Sequence, residues 1–344
     1  MAKLRIGIVG AGGIVKERHL PGFTAIDGVE VVAVSNRTRE SGEAVAHDWS
    51  IPHVHDDWRE LVNRDDLDII VVGTWPYLHR DVTAAALRAH KHVFCQARMT
   101  MNYADARSMY ELSQLSDRVT ALCPPPHVMP VDKLVRQMIA EGFLGELRHV
   151  RLTSLNAAGA DPAQPPSWRQ IAAYSGLNTM AVGIWAEILH SWCGYCRELQ
   201  ASARVFVPAR PRPEGGTYQV AIPDSVSVLA TFENGAQGVF HWSAVAPHGG
   251  GDRIELYGSE GAIVHVPGSG RIEAGRANEA GLTAREVPPG LRNPWAVEAN
   301  FITAIREGVP VQTSFYDGLR YMEFLEAIYR SQATGGRVNL PLGP

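Results

Sequence analysis

Residues 4–16 read LRIGIVGAGGIVK, and this stretch decides the fold. A short apolar run rich in β-branched residues passes directly into glycines and then into a segment with helical potential, the order strand, tight turn, helix. Gly10 permits the turn, and Gly12 lets backbone N–H groups approach a pyrophosphate at the start of the next helix. Gly13 and Ile14 complete the loop as further contacts to such a cofactor. Val15 stands where a third small residue is usual, which loosens the helix-to-strand packing requirement.

Working outward, VEVVAVSNR at residues 29–37 is a second buried strand. It ends about 20 residues past the glycines, where the ribose-reading side chain of a dinucleotide fold belongs. That residue is Asn36, not an acid, and Arg37 stands beside it. With no carboxylate to repel a 2′-phosphate, the cofactor expected is NADP or NAD, with NADP favoured.

LDIIVVGTWPYLH from Leu67 reads as a third strand and HKHVFCQAR from His90 as a fourth, with DVTAAALRAH between them as a crossover helix. Strands alternating with helices make a doubly wound parallel sheet whose ligands lie at the carboxyl ends of the strands. Those ends supply Thr74, Trp75, His79 and Gln96 as cofactor contacts, and Tyr77, Gln96 and Arg98 at the reacting end.

The proline-dense VTALCPPPHVMP closes this part and sets the expected domains at 1–123 and 124–344. Beyond it, strand-like runs near 199–207, 224–232, 236–245, 252–258 and 261–266 are separated by turns such as ENGAQG, which predicts a meandering, mostly antiparallel sheet. The fold class is therefore α/β: an N-terminal Rossmann domain and a C-terminal α/β domain. GLNTMAVGIWAEILHSWCG predicts a helix from near Asn178, with Asn178, Ala181 and Trp185 on one face.

The bulk numbers agree. A chain of 344 residues exceeds what one core usually organises, and a net charge of −4 without a basic stripe argues against nucleic acid or an anionic membrane as partner. No window approaches the roughly 18 apolar residues of a membrane span, and the N-terminus has no run long enough for a signal peptide, so a cytoplasmic location is expected. Cys193 and Cys196 form one C-x-x-C without a second pair, which points to reduced, part-buried thiols and to no metal.

IGIVGAGGI, VVGTWPYLH, VFCQARM, LVRQMIAEGFLGELRHV, the GL…GIW helix, ELYGSEGAI and the closing ANFITAIREGVPVQTSFYDGLRYMEFLEAIYRS occur in this order over nearly the whole chain. Together they resemble the Gfo/Idh/MocA family of glucose-fructose oxidoreductases and inositol dehydrogenases. The resemblance implies hydride transfer between a nicotinamide and a sugar or cyclic polyol, and a homodimer or homotetramer built on the open sheet. It also implies a lysine in a Glu-Lys-Pro motif and an aspartate and histidine four residues apart. Here those positions read Gln96-Ala97-Arg98, Ala181 and Trp185. Alcohol oxidation needs a group that takes the hydroxyl proton, and Ala97, Ala181 and Trp185 cannot.

The replacement candidates begin with His127, whose imidazole titrates near neutral pH and which otherwise serves as a loop-stabilising histidine. Arg98 is a clamp for a carboxylate or phosphate, or else a structural ion pair; Gln96 and Tyr77 complete the catalytic set. Arg169, Tyr174 and Asn178 are substrate contacts, and Trp185 is either an aromatic platform or a space filler. Glu187 and His190 point to core or interface roles. Two functions follow: an oxidoreductase with a non-standard site, extending to a redox-assisted lyase or hydrolase, or a nucleotide- or sugar-binding regulatory protein that has lost catalysis.

Overall fold

The computed structural model describes residues 3–126 and 129–343; the candidate base His127 lies outside the described residues. Its contacts resolve into two compact units. The first comprises Met1–Pro124, Tyr174–Gly176 and Ala296–Leu319, and the second Pro125–Ala173, Leu177–Trp295 and Arg320–Pro344. The segment 296–319 thus joins the first unit although the sequence reading placed everything after 123 in the second.

In the first unit the strands are β1 (Leu4–Val9), β2 (Val29–Ser35), β3 (His53–His55), β4 (Ile69–Val72), β5 (His92–Cys95) and β6 (Thr120–Leu122). They form one parallel sheet in the order β3-β2-β1-β4-β5-β6. This is the dinucleotide-fold order, with its switch point between β1 and β4. Ile69, Ile70, Val71 and Val72 are all buried, as expected of a parallel strand covered on both faces, and each contributes about 1.5–3 kcal/mol of apolar burial. β3 and β6 were not foreseen: each has three residues, too short to show a period.

The crossovers are α1 (Leu20–Thr24), α2 (Arg39–Trp49), α3 (Trp58–Val62), α4 (His79–Arg88) and α5 (Tyr103–Gln114). Polar caps fix where three of them start. Thr38 Oγ1 accepts from the Ser41 amide, Asp57 Oδ1 from that of Arg59 and Asn102 Oδ1 from that of Asp105. Each satisfies an N–H that has no partner within the helix.

The second unit contains α6 (Met129–Ala140), then β7 (Leu147–Leu155), and farther on α8 (Val182–Cys193); the short α7 (Ala172–Ser175) before it ends in the first unit's segment. The strands that follow are β8 (Cys196–Arg204), β9 (Ala209–Pro211), β10 (Thr217–Gln219), β11 (Ser225–Phe232), β12 (Gln237–Ser243), β13 (Gly251–Gly258), β14 (Gly261–Val266), β15 (Arg271–Arg276) and β16 (Thr283–Ala284). After α9 (Val297–Glu307), which belongs to the first unit, and α10 (Phe315–Thr334), β17 (Val338–Asn339) completes the second unit's strands. Nine strands make one mixed, mostly antiparallel sheet in the order β16-β15-β14-β13-β7-β12-β11-β8-β17, with β7 and β12 running parallel. Burial alternates along β11 and β12, so one face is core and the other open, where Leu229 and Val239 pair in register and are exposed.

The helix expected from near Asn178 begins instead at Val182. Gly176 and Met180 adopt positive φ, +62° and +44°, and residues in the left-handed region interrupt a right-handed helix. Asn178 therefore precedes α8 and does not share a helical face with Trp185.

Candidate functional site

Where β1 and β4 diverge, the first unit opens a cleft of about 430 Å³. Its walls come from three strand ends: Gly10, Ala11 and Gly12 after β1, Asn36, Arg37 and Thr38 after β2, and Thr74, Trp75 and Tyr77 after β4. Gly10 has φ +88°, and a Cβ there would stand 2.6 Å from Thr74 Cγ2 and 2.7 Å from the Thr74 amide nitrogen. Only glycine meets both conditions. Gly12 and Gly13 are exposed, and nothing lies within 4 Å of where their Cβ atoms would be. A loop with open space over its backbone, followed by the helical turn Val15–His19, fits the pyrophosphate of a dinucleotide. Ile14, expected as a contact, is exposed.

Val15 is fully buried, and the missing third small residue is compensated across the turn. A Cβ on Gly73 would collide with Val15 Cγ2 and with the Gly10 carbonyl oxygen. The close approach that a small residue at 15 usually gives is supplied here from the end of β4.

Asn36 lines the cleft with its amide already engaged. Its Oδ1 accepts from the Ala11 N–H at 2.7 Å and its Nδ2 donates to the Ser41 carbonyl at 3.1 Å, tying the glycine turn to the start of α2. Arg37 remains, its guanidinium carbon 5.5 Å from the centre of the Trp75 ring. Asp56 and Trp58 also line this end, and sequence reasoning missed both because β3 carries no apolar pattern. The Asp56 carboxylate is paired with Arg39 at 3.0 Å.

The end of β5 is built differently. Gln96 Oε1 accepts from the Ala97 amide at 3.2 Å, which turns its Nε2 toward His19 Nε2, with which it is hydrogen-bonded. Since that nitrogen accepts, the proton of His19 sits on Nδ1, donated to Glu298 Oε1 at 2.5 Å. His19, Glu298 and Gln96 are 0%, 2% and 7% exposed. Glu298 lies near the start of α9, some 280 positions from His19, and nothing in the sequence pattern announced the pairing. Gln96, expected to contact cofactor and take part in chemistry, thus has its amide turned into the protein, where it fixes the loop.

His79 links the two strand ends. Its Nδ1 lies 3.0 Å from the Met99 carbonyl oxygen and its Nε2 2.8 Å from that of Thr74. Complete burial pushes the imidazole below its ordinary value against the opposing pull of these carbonyls. Arg98 is buried beside it, joined to Ala97 by a cis peptide.

Tyr174, expected at the substrate, belongs to the first unit, where its ring centre is 4.6 Å from that of Trp75 and 5.8 Å from that of Tyr77. In the second unit Arg169 stacks on Trp168, guanidinium carbon to ring centre 4.4 Å. Asn178 and Trp185 are buried there, Trp185 completely, so its indole fills space. His190 is buried against the rings of Tyr195 and Phe324, and Glu187 is buried too. Cys193 and Cys196 are buried free thiols whose pKa values burial drives up. Among the described residues no three His, Cys, Asp or Glu side chains are grouped to hold a metal ion, and no helix is long and apolar enough to cross a membrane.

Comparison with known proteins adds the following. A family model for the GFO_IDH_MocA oxidoreductase family, NAD-binding Rossmann fold, matches residues 4–122, and one for the GFO/IDH/MocA C-terminal domain matches residues 133–264. The chain is 26% identical over 390 aligned positions to levoglucosan dehydrogenase of Pseudarthrobacter phenanthrenivorans, covering 99% of each. It is 27% identical to inositol 2-dehydrogenase of Rhizobium meliloti, covering 98% of this chain and 99% of that one. Among solved structures, an oxidoreductase domain protein from Kribbella flavida superposes with a TM-score of 0.90 at 25% identity, covering 99% of this chain and 100% of the other. Levoglucosan dehydrogenase in complex with NADH and L-sorbose shares the fold with a TM-score of 0.90 at 23% identity, covering 98% and 99%.

Proposed function

The chain belongs to the Gfo/Idh/MocA family of oxidoreductases with an NAD-binding Rossmann domain, and from that premise we propose an NADP-favouring dehydrogenase of a sugar-like or cyclic polyol. The observation that carries the reading is the open glycine turn at the switch point, with Arg37 as the cation at the 2′-end beside Asn36, whose amide is tied to Ala11 and Ser41. The nicotinamide, when bound, supplies the hydride chemistry. The chain's own part is to seat the dinucleotide on Gly10, Gly12, Gly13 and Ile14, to flank it with Thr74, Trp75 and His79, and to manage the hydroxyl proton.

Ala97 leaves that last task to other residues. Tyr77 lines the cleft with a phenol, and Arg98 supplies a fixed charge suited to an anionic group on the substrate; His127 is the remaining acid/base. The relatives named for levoglucosan and inositol oxidation support a cyclic polyol as substrate, and the open sheet face bearing Leu229 and Val239 supports a homodimer or homotetramer.

Titration calorimetry with NADPH and NADH, followed by turnover on a panel of cyclic polyols, tests this. Binding of NADPH at least as tight as NADH, with reduction of the nucleotide by one member of the panel, is expected. Absence of binding by either nucleotide sinks the proposal. The specific observation favouring a second reading, a binding protein without turnover, is that Ala97 carries no titratable group; it predicts nucleotide binding with no reduction across the panel.

A further inference from the structure

Tyr174 stands about 100 residues beyond the loops that line the cleft, yet its contacts are with them. The turn that carries it, Tyr174–Gly176, is held in the first unit at two points. At one, the Tyr174 ring rests against Trp75 and Tyr77, centres 4.6 and 5.8 Å apart. At the other, Gly176, at φ +62°, lies so close to Met101 that a Cβ would collide with the Met101 carbonyl oxygen. Ser175 between them is fully buried.

Trp75 is the partner that matters. It lines the cleft between Arg37, 5.5 Å from its ring centre, and the loop that carries Tyr77. An indole in a nucleotide cleft offers a face to a flat ring, and that interaction depends on the indole being held in one orientation. The Tyr174 ring, tilted 42° against the indole at 4.6 Å, restrains its χ1 and χ2.

We infer that Tyr174 is a positioning residue of the nucleotide site, which acts through Trp75 to hold the indole where the adenosine half of the dinucleotide stacks. The inference rests on the nucleotide-binding reading above. It moves Tyr174 from the substrate to the cofactor and makes the turn 174–176 part of the binding site for the nucleotide.

The test uses the full chain and two probes, NADPH and ADP-ribose, the second lacking the nicotinamide. Tyr174→Leu keeps apolar volume without an aromatic ring, and Tyr174→Phe keeps the ring without the hydroxyl. Tyr174→Leu is expected to raise the Kd of both probes roughly five- to tenfold, and Tyr174→Phe by less than about twofold. Because Tyr174 acts through Trp75, the double variant Tyr174→Leu/Trp75→Ala is expected to bind no more weakly than Trp75→Ala alone. Additive effects of the two substitutions, or a Tyr174→Leu protein that binds both probes like the parent, overturn the inference while leaving the parent's nucleotide binding intact. A parent that binds neither probe overturns the functional reading itself.

Discussion

The ends of β1 and β5 lie in one sheet, separated by a single strand, yet they solve opposite problems. After β1 the backbone is left open: Gly12 and Gly13 have empty space above them, and the Asn36 amide is tied back to Ala11 and Ser41. After β5 the polar groups are sealed inside, with Glu298, His19, Gln96 and the Ala97 amide forming one buried line. An open strand end serves a ligand, and a sealed one serves the loop. The difference teaches that a polar residue at the carboxyl end of a strand is no guide to chemistry until its hydrogen bonds are traced.

The comparison makes sharp demands. Gly10→Val strikes the open end where it is also structural, since φ +88° and the contact with Thr74 both forbid a side chain. A loss of about 3 kcal/mol or more in denaturant unfolding, together with loss of nucleotide binding, is expected. A sealed imidazole in the second unit gives the next effect. Burial, reinforced by the charge of Arg320, lowers the His190 pKa from 6.5 to about 3. Between those values the unfolded chain binds a proton that the folded chain refuses, so stability falls as pH drops through 6.5 toward 3. By pH 4.5 the loss reaches about 2–3 kcal/mol, and His190→Phe should flatten that limb of a stability-against-pH curve.

Glu298→Ala removes the acceptor for a buried imidazole N–H. A cost of about 2 kcal/mol is expected in chemical unfolding, with nucleotide affinity of the folded protein changed less than about twofold. If affinity collapses instead, the sealed line is part of the ligand site and the contrast fails. Gly12→Val is its mirror image: unfolding within about 0.5 kcal/mol of the parent, with the Kd for NADPH raised about tenfold or more by calorimetry. Smallest is Asn36→Asp, which keeps the acceptor for Ala11 but places a carboxylate beside the 2′-position; a shift of about 1 kcal/mol in favour of NADH over NADPH is expected from paired titrations.

Much of the fold was legible. The glycine turn, β1, β2, β4 and β5 and the antiparallel runs near their observed positions all carry local signals, apolar period and glycine punctuation. β3 and β6 carry none, because three residues cannot display alternation. The start of α8 was misplaced because the apolar residues from Leu177 onward continue a helical pattern that the left-handed Gly176 and Met180 break. In the site, Gly10, Arg37, Thr74, Trp75 and Tyr77 were named from position and do line the cleft, whereas Asp56 and Trp58 were missed and Gln96 turned out to face inward.

By itself the sequence determined that strands alternate with helices in a parallel sheet and where that sheet opens, because apolar runs and obligatory glycines act over a few neighbouring residues. Only the tertiary structure decided which polar groups remain for a ligand. Glu298 reaches His19, Gly73 makes room for Val15 and Tyr174 braces Trp75 across separations that leave no periodic trace. Hydrogen bonds and ring contacts depend on distance in space, and chain folding sets that distance only after the local elements have formed.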